Sequence, residues 1–267
     1  MKLNQVKLIV SDLDGTLLNS NHEVSKEFFE LFKILKANNI LFVAASGRPY
    51  YSMVEKLGAI KDDIIIVSEN GGLAIKQDDL FISNTLESKN LITIANIVES
   101  IPEAHPVFCT QNKAYVISKS DKLMDLLSEY YTNYQFIDDV NQIKEDVYKI
   151  ALFHEKSSEQ FIYPKVKHLE ADFKVKVSAN HWVDISENIA NKGYVINHIQ
   201  KLYNITPDQT MVFGDYNNDL EMLKLGHFSY AMENAHPNVK AVANYLTKSN
   251  NDNGVEIIIK QLIKSLT

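Results

Sequence analysis

Two aspartates, Asp12 and Asp14, follow the apolar run that ends at Val10. Residues two apart in a strand project to the same side, so both carboxylates are expected to face the crevice beyond the strand end, with Leu13 pointing away. Two such charges repel each other unless a cation compensates, and Mg²⁺ prefers oxygen ligands. One carboxylate could attack a phosphorus atom while the other gives a proton to the departing alkoxide. The alternative is a solvated turn, because Asp and Gly are common turn residues.

Small residues that follow the first two apolar runs could help to bind an anion. Gly15 allows the backbone to turn sharply, and Thr16 offers a hydroxyl and an amide near the same place. The run at residues 40–45 ends at Ser46 and Gly47, which present a hydroxyl and unhindered backbone amides. A plain strand-to-helix loop is the alternative for this second strand end.

A later strand end carries another group of polar residues. The apolar run at residues 210–213 leads into a loop with Asp215, Asn218 and Asp219. Asp215 could complete an oxygen-rich Mg²⁺ site with the two aspartates of the first strand end. Asp219 could cap the following helix or hydrogen-bond to Lys192. Asn218 could contact phosphate or bind the metal through a water, or it could simply turn the chain.

Lys192 and Asn70 also stand next to predicted elements. Lys192 opens a segment of helical apolar period, and a lysine at a helix N-terminus can reach a bound phosphoryl group. Asn70 follows the apolar run at residues 64–67 in a tight-turn sequence. Both residues have ordinary alternatives, since most lysines are solvated and Asn70 is first of all a turn residue.

The elements that must position these residues read as parallel strands separated by helices. The runs at residues 40–45, 64–67 and 210–213 are apolar throughout, which is typical of parallel strands buried on both faces. In an open sheet of this type, ligands bind beyond the carboxyl ends of the strands, so the residues after each run are expected to meet. A helix is predicted between the first two strands, with Ser25 as a candidate cap.

The stretch Asp12-Leu13-Asp14-Gly15-Thr16 is similar to the first motif of the haloacid dehalogenase superfamily of phosphotransferases. The end of the second strand, the lysine segment and the later aspartate loop resemble the other three motifs, in order. Two further segments, Met232–Ala235 and Asp252–Gly254, resemble the Cof-type branch of this superfamily (subfamily IIB). The resemblance implies an α/β fold, with a Rossmann-like three-layer core, a mainly parallel sheet and an inserted α+β cap domain.

The resemblance also implies Mg²⁺-dependent hydrolysis of small phosphomonoesters, such as sugar phosphates or pyridoxal phosphate. It makes Asp12 the nucleophile and a metal ligand, Asp14 the acid/base with its backbone carbonyl on the metal, and Asp215 a further metal ligand. The implied phosphate- or substrate-binding residues are Leu13, Ser46, Gly47, Arg48, Lys192 and Asn218. The implied supporting residues are Gly15, Thr16, Asn70 and Asp219. Tyr216 and Asn217 depart from the small residues often found in the fourth motif.

Residues 85–186 read as the inserted cap, and residues 1–84 and 187–267 as the core. Helical and strand patterns alternate in the cap region, which contains no candidate nucleophile. A lid of this kind would exclude water and select the leaving group of the substrate. His181 and Trp182 are candidate substrate contacts, with packing or a surface position as the alternative.

Composition narrows the class of protein. The chain has 267 residues, of which 45% are hydrophobic, so it can support a buried core. Its formal net charge of −7 argues against a nucleic-acid or anionic-membrane binder. Cys109 is the only cysteine, and the first residues do not resemble a signal peptide, so we predict a cytoplasmic protein. A small phosphorylated metabolite is the expected partner, and the oligomeric state stays open.

Other functions remain compatible with parts of this pattern. A phosphomutase of the same superfamily would return the phosphoryl group to a sugar. A phosphoryl-accepting switch would also gather acids around Mg²⁺, although Lys192 and the long insertion favour an enzyme. A nicotinamide dehydrogenase is disfavoured because no Gly-x-Gly-x-x-Gly turn follows the first strand. Hydrolytic dehalogenation is less expected, because a halide departs without a proton and Asp14 would then have no role as an acid. For Arg48, the alternative to a substrate contact is an exposed surface arginine.

Overall fold

The computed structural model describes residues 3–117 and 120–266, without the side chains of residues 126 and 128–130. The chain forms two compact units. The first comprises Met1–Gly47, Val54–Ile82 and Asn191–Thr267. The second comprises Arg48–Met53 and Ser83–Ala190. The second unit is therefore inserted into the chain of the first. The prediction from the sequence gives the insertion as residues 85–186 and includes the short segment 48–53 in the core. That segment groups with the second unit, where its Tyr51 packs against an apolar cluster.

Strands make up two sheets in the described residues. In chain order they are β1 (Leu8–Ser11), β2 (Leu41–Ala45), β3 (Ile65–Ser68), β4 (Leu73–Lys76), β5 (Asp79–Ser83), β6 (Ala104–Cys109), β7 (Ala114–Val116), β8 (Tyr134–Phe136), β9 (Lys149–His154), β10 (Phe173–Ala179), β11 (Trp182–Glu187), β12 (Thr210–Gly214), β13 (Phe228–Ala231) and β14 (Tyr245–Leu246). One sheet has the order β14-β13-β12-β1-β2-β3-β4-β5, and the other has the order β10-β11-β9-β6-β7-β8.

Helices alternate with these strands along the chain. They are α1 (Lys26–Ala37), α2 (Tyr50–Leu57), α3 (Ser88–Glu99), α4 (Asp121–Tyr130), α5 (Ser158–Phe161), α6 (Tyr163–Val166), α7 (Lys192–Leu202), α8 (Leu220–Leu223), α9 (Pro237–Val242) and α10 (Gly254–Leu266). Across residues 3–117 and 120–266, no helix has both the length and the apolar character needed to cross a membrane.

The eight-stranded sheet is mainly parallel. β1 pairs in parallel with β12 on one side and with β2 on the other, and the parallel pairing continues through β13 and β14 and through β3. β4 reverses direction against β3. Every residue of β1, β3 and β12 is buried, as the apolar runs predicted. The predicted Rossmann-like α/β core with a mainly parallel sheet is confirmed.

Helix α1 begins where the sequence placed a cap. The Oγ of Ser25 accepts a hydrogen bond from the backbone N–H of Phe28 (3.0 Å), which satisfies one of the donors that a helix N-terminus leaves free. Phe28, Phe32 and Leu35 form the buried stripe of α1, and the helix packs against α10. The predicted cap is confirmed.

The sheet of the second unit is mainly antiparallel, with apolar clusters on both faces. Alternate residues of β9 separate between the clusters: Ile150 and Leu152 belong to one, and Ala151 and Phe153 belong to the other. This alternation follows from the two-residue period of a strand. Trp182 packs in the second cluster, with its ring centroid 5.1 Å from that of Phe153.

Candidate active site

The carboxyl ends of β1 and β12 lie side by side in the first unit. Ser11 pairs with Phe213 in the parallel register, and the N–H of Asp12 donates to the carbonyl of Phe213 (3.1 Å). The two strands therefore deliver their following residues to one place. Carboxylate oxygens of Asp12, Asp215 and Asp219 all lie within 4.8 Å of one another. The structure thus brings together acids that are about 200 residues apart in the chain, as the two strand ends predicted.

Lys192 connects two of these acids. It is the first residue of α7, whose N-cap Asn191 accepts a hydrogen bond from the N–H of Tyr194 (2.7 Å). The lysine side chain is fully buried, and its Nζ donates to Oδ1 of Asp12 (2.6 Å) and to Oδ1 of Asp219 (2.7 Å). A buried ammonium needs this kind of double pairing, since an unpaired buried charge is strongly unfavourable.

The electrostatics of the cluster favour a further cation. Burial raises the pKa of the Asp12 carboxyl, although Lys192 opposes the shift, and the Asp219 and Asp215 carboxylates raise it further. Burial also raises the pKa of Asp215 to about 7, with the nearby Asp219 as the next cause. Burial alone would lower the pKa of Lys192, but Asp12 and Asp219 outweigh it and raise that pKa above its ordinary value. The cluster holds more negative charge than one lysine compensates.

Asp219 also shapes the loop that carries Asp215. Its Oδ2 accepts hydrogen bonds from the backbone N–H of Asp215 (2.9 Å) and of Tyr216 (3.2 Å). Of the two roles predicted for this residue, the hydrogen bond to Lys192 is present, whereas no side-chain hydrogen bond caps α8. Asp219 therefore holds the lysine and the loop at the same time.

The turn after Asp12 lies directly against Asp215. Thr16 Oγ1 donates to Asp215 Oδ1 at 3.4 Å. Gly15 has a φ of +74°, and a Cβ at this residue would lie 2.3 Å from Asp215 Oδ2. Both the backbone conformation and the lack of space require glycine at this position.

Asp14 is more accessible than Asp12 and Asp219, which are both buried. Its side chain is 40% exposed, and Oδ1 lies 3.3 Å from Nδ1 of His22. His22 was not among the predicted site residues. It reaches Asp14 because the chain folds back, with an isolated bridge between Leu18 and Val24, and because His22 adopts a φ of +56°. Asn19 is a local signal for this turn, since its Oδ1 accepts from the N–H of Asn21 (2.9 Å) and of Glu23 (3.1 Å). A turn residue does not, however, predict that His22 reaches Asp14.

The residues after β2 meet the predicted supporting residue Asn70. The N–H of Asn70 donates to the carbonyl of Ser46 (3.0 Å), and a Cβ on Gly47 would come within 3.0 Å of Asn70 Nδ2. Asn218 Nδ2 donates to Asn70 Oδ1 (2.9 Å). These four residues form one group in the first unit, while their contact with phosphate stays a prediction.

Leu13 and Arg48 are placed differently from the other predicted residues. The side chain of Leu13 is fully buried, so only its backbone could approach a ligand. Arg48 belongs to the second unit, is 5% exposed and donates from Nη1 to Ser52 Oγ (3.4 Å). Its burial excludes the alternative of a surface arginine, and its role in substrate binding stays a prediction.

Comparisons with known proteins agree with this arrangement. A family model described as haloacid dehalogenase-like hydrolase matches residues 9–259. The 5-amino-6-(5-phospho-D-ribitylamino)uracil phosphatase YbjI of Escherichia coli (strain K12) is 32% identical over 97% of this chain and 97% of its own. The crystal structure of SMU.1108c from Streptococcus mutans UA159 is 30% identical, with a TM-score of 0.86 over 97% of this chain and 99% of its own. The HAD subclass IIB sugar phosphatase BT4131 shares the fold, with a TM-score of 0.81 at 19% identity over 96% of this chain and 98% of its own.

Proposed function

This chain belongs to the haloacid dehalogenase-like hydrolase family, and from that membership and its site geometry we propose that it is a Mg²⁺-dependent phosphatase of small phosphomonoesters that works through an aspartyl-phosphate at Asp12. The observation that carries the proposal is the position of Lys192. Its fully buried Nζ holds Asp12 and Asp219 at 2.6 and 2.7 Å, beside the carboxylate of Asp215. This arrangement supports the proposal, because a carboxylate that could act as nucleophile, a fixed positive charge and further acids lie together beyond the carboxyl ends of β1 and β12.

The donor set suits a Mg²⁺ ion. Carboxylate oxygens are ligands that Mg²⁺ prefers, and the pKa of Asp215 is raised first by burial and then by the neighbouring Asp219 carboxylate, both of which a bound cation would oppose. Asp12 and Asp215 would hold the ion together with the backbone carbonyl of Asp14. Asp219 would stay with Lys192 and the loop amides, which already engage both of its oxygens. When bound, the ion would neutralise charge on the phosphoryl oxygens.

The two aspartates of the first motif have different roles in the proposed reaction. A carboxylate oxygen of Asp12 attacks phosphorus, and the bond from phosphorus to the ester oxygen breaks. Asp14 gives a proton to the departing alkoxide and later takes one from the water that attacks the aspartyl-phosphate, so inorganic phosphate leaves and Asp12 is restored. Ser46, Gly47 and Asn218 would orient the phosphoryl group, while Lys192 offsets its charge.

The substrates are small phosphorylated metabolites. The relative from Escherichia coli is named for 5-amino-6-(5-phospho-D-ribitylamino)uracil, a sugar-alcohol phosphate attached to a pyrimidine. We propose substrates of this general kind: a primary phosphomonoester on a short polyhydroxyl chain, with sugar phosphates and pyridoxal phosphate as further candidates.

Substitution of the nucleophile tests the proposal. Asp12→Asn should lower phosphate release from these esters by about 10³-fold or more, because the amide cannot form the acyl phosphate. Circular dichroism and thermal unfolding should show that the variant is folded. Asp208→Asn, which changes an exposed aspartate outside the site, serves as the matched control and should keep full activity.

Two results would contradict the proposal. Appreciable turnover by Asp12→Asn would exclude covalent catalysis at this residue. Interconversion of sugar phosphate isomers by the unmodified protein, without release of inorganic phosphate, would identify a mutase, and a persistent phosphorylated form without turnover would identify a switch.

A further inference from the structure

The segment Met232–Asn238 contacts both loops that carry the acids of the proposed metal site. It follows β13 and includes the first residues of α9. We call residues 12–16 the first site loop, residues 214–219 the second site loop, and Met232–Asn238 the brace. All three lie in the first unit.

The brace is hydrogen-bonded to the second site loop through its backbone. The N–H of Met232 donates to the carbonyl of Gly214 (3.2 Å), and the N–H of His236 donates to the carbonyl of Asp215 (2.8 Å). The His236 imidazole also accepts a hydrogen bond at Nδ1 from the N–H of Asn238 (3.1 Å), which fixes the first turn of α9. The carbonyl of a proposed metal ligand is thus anchored directly to the brace.

Side chains of the brace pair with the two unusual residues of the second site loop. The ring of Tyr216 lies edge-on to the ring of His236, with centroids 5.6 Å apart and an interplanar angle of 78°. Asn238 Nδ2 donates to Asn217 Oδ1 (3.1 Å). Tyr216 and Asn217 are the positions where the sequence departs from the small residues of the fourth motif, so each of the larger side chains has a partner in the brace.

Asn234 connects the brace to the first site loop. Its Nδ2 donates to the carbonyl of Gly15 (2.8 Å), and its Oδ1 accepts from the N–H of Asn250 (3.2 Å). Asn250 Nδ2 in turn donates to the carbonyl of Leu18 (2.9 Å). Both polar ends of the Asn234 amide are therefore engaged, and the carbonyl of Gly15 is held by the brace.

The two site loops pack closely against each other where Gly15 and Thr16 contact Asp215. Gly15 packs so closely on Asp215 that a single added carbon would lie 2.3 Å from Oδ2, and Thr16 donates to Oδ1 of the same carboxylate. Negative charges on the two loops repel each other, and this repulsion acts to separate them. A connection that holds the backbone of both loops opposes the separation.

We propose that the brace is a positioning element that sets the distance between the two site loops, with Asn234 as its main contact to the first loop. This inference rests on the proposed function, because the distance matters through Mg²⁺ and the phosphoryl group. Asn234 contacts a backbone carbonyl and no reacting atom, so its effect is expected in metal affinity and in kcat, with KM nearly unchanged.

The test compares Asn234→Ala with Asn244→Ala. Asn244 is also exposed, and its Nδ2 also donates to a backbone carbonyl, that of His227 (2.9 Å), away from both site loops. Isothermal titration calorimetry with Mg²⁺ alone should show about 10-fold weaker binding for Asn234→Ala and unchanged binding for Asn244→Ala. Hydrolysis of p-nitrophenyl phosphate should show a lower kcat for the first variant at limiting Mg²⁺, with recovery as Mg²⁺ is raised. Asn238→Ala, which removes the contact to Asn217, should shift Mg²⁺ affinity in the same direction.

The outcomes separate this inference from the proposed function. Mg²⁺ binding by the unmodified protein, together with equal binding by Asn234→Ala and Asn238→Ala, would overturn the brace alone. An equal loss of affinity in Asn234→Ala and Asn244→Ala would assign the effect to general destabilisation and would also overturn it. A failure of the unmodified protein to bind Mg²⁺ would overturn the proposed function, and the role of the brace with it.

Discussion

Asp12 and Asp14 stand two residues apart, yet the structure gives them different surroundings. The side chain of Asp12 is 7% exposed and hydrogen-bonded to Lys192, whereas that of Asp14 is 40% exposed and lies beside His22. A carboxylate held by a fixed ammonium is suited to attack along one direction. A more accessible carboxyl is suited to exchange protons with a leaving group and with water.

Substitution of Asp14 should therefore depend on the leaving group. Asp14→Asn should lower kcat for an alkyl ester such as a sugar phosphate by about 10²-fold or more, because an alkoxide needs a proton to depart. The loss should be smaller for p-nitrophenyl phosphate, whose phenolate leaves readily. Steady-state kinetics with both esters measure the difference. Asp12→Asn is the control, since loss of the nucleophile should affect both esters equally, and an equal loss in Asp14→Asn would argue against an acid role.

The sequence predicted residue positions well where the end of a strand or the start of a helix determines them. Asp12 and Asp215 were expected to meet because each follows an apolar run, and the structure brings them together. His22 and Asn234 could not be found in this way. Each reaches the first site loop from a turn or a distant segment, and the register of such returns depends on the whole fold.

At the scale of elements, a buried carboxyl lies between α1 and α10. Glu256 on α10 is 3% exposed, and its Oε1 accepts a hydrogen bond from the Oγ of Ser25 (2.6 Å), the N-cap of α1. Burial raises the pKa of Glu256, and the hydrogen bond from Ser25 opposes the shift only in part. The folded protein therefore binds this proton more tightly than the unfolded chain does.

This shift predicts a pH-dependent effect of Glu256→Gln on stability. Because the folded pKa is raised, the contribution of Glu256 to stability is fully present below its unfolded pKa and is lost as the pH rises through the folded value. Glutamine has no such loss and can still accept from Ser25. Glu256→Gln should therefore raise the free energy of unfolding at pH 7, by about 1 kcal/mol or less, and have little effect near pH 4.

Urea unfolding of both proteins at the two pH values measures this difference. Glu30→Gln is the matched control on α1, since Glu30 is 70% exposed and pairs with Lys33 (2.8 Å). Exposed ion pairs contribute little, so this control should not gain stability at pH 7. An equal effect of Glu256→Gln at both pH values would contradict the role of the buried charge.

Strands and helices could be predicted from the sequence where they have a long and clear apolar pattern. The strands predicted at residues 40–45 and 64–67 lie within one or two residues of β2 and β3. The sequence Asn234–Pro237 is typical of a turn, whereas α9 begins at Pro237, with His236 as its cap. A helix of six residues is too short to show a clear 3.6-residue period. Proline is common both at the first position of a helix and in turns, so it does not distinguish the two.

At the scale of the whole molecule, the proposed metal should link distant parts of the chain. The carboxylates that would hold it come from the strand ends of β1 and β12, so an unfolded chain offers no comparable site. A ligand that binds only the folded state stabilises it according to its concentration relative to Kd.

Addition of Mg²⁺ should therefore raise the Tm of the protein above its value in EDTA. At a concentration about 100 times the Kd, the expected gain is about 2.7 kcal/mol in the free energy of unfolding. Thermal unfolding followed by circular dichroism measures the shift. Asp215→Asn should remove most of the gain, while Asp208→Asn should keep it. No shift in the unmodified protein, or a full shift in Asp215→Asn, would contradict the proposed ligand set.

Because the site is built from both β1 and β12, it cannot form until late in translation. Asp12, the proposed nucleophile, is translated within the first dozen residues, but β12, which pairs with β1 and leads into Asp215, starts only at Thr210. A nascent chain consequently carries Asp12 and Asp14 through most of translation without Lys192 or Asp215 beside them. Prematurely terminated chains that end before β12 lack the Asp215 loop and are therefore expected to be inert toward phosphoesters.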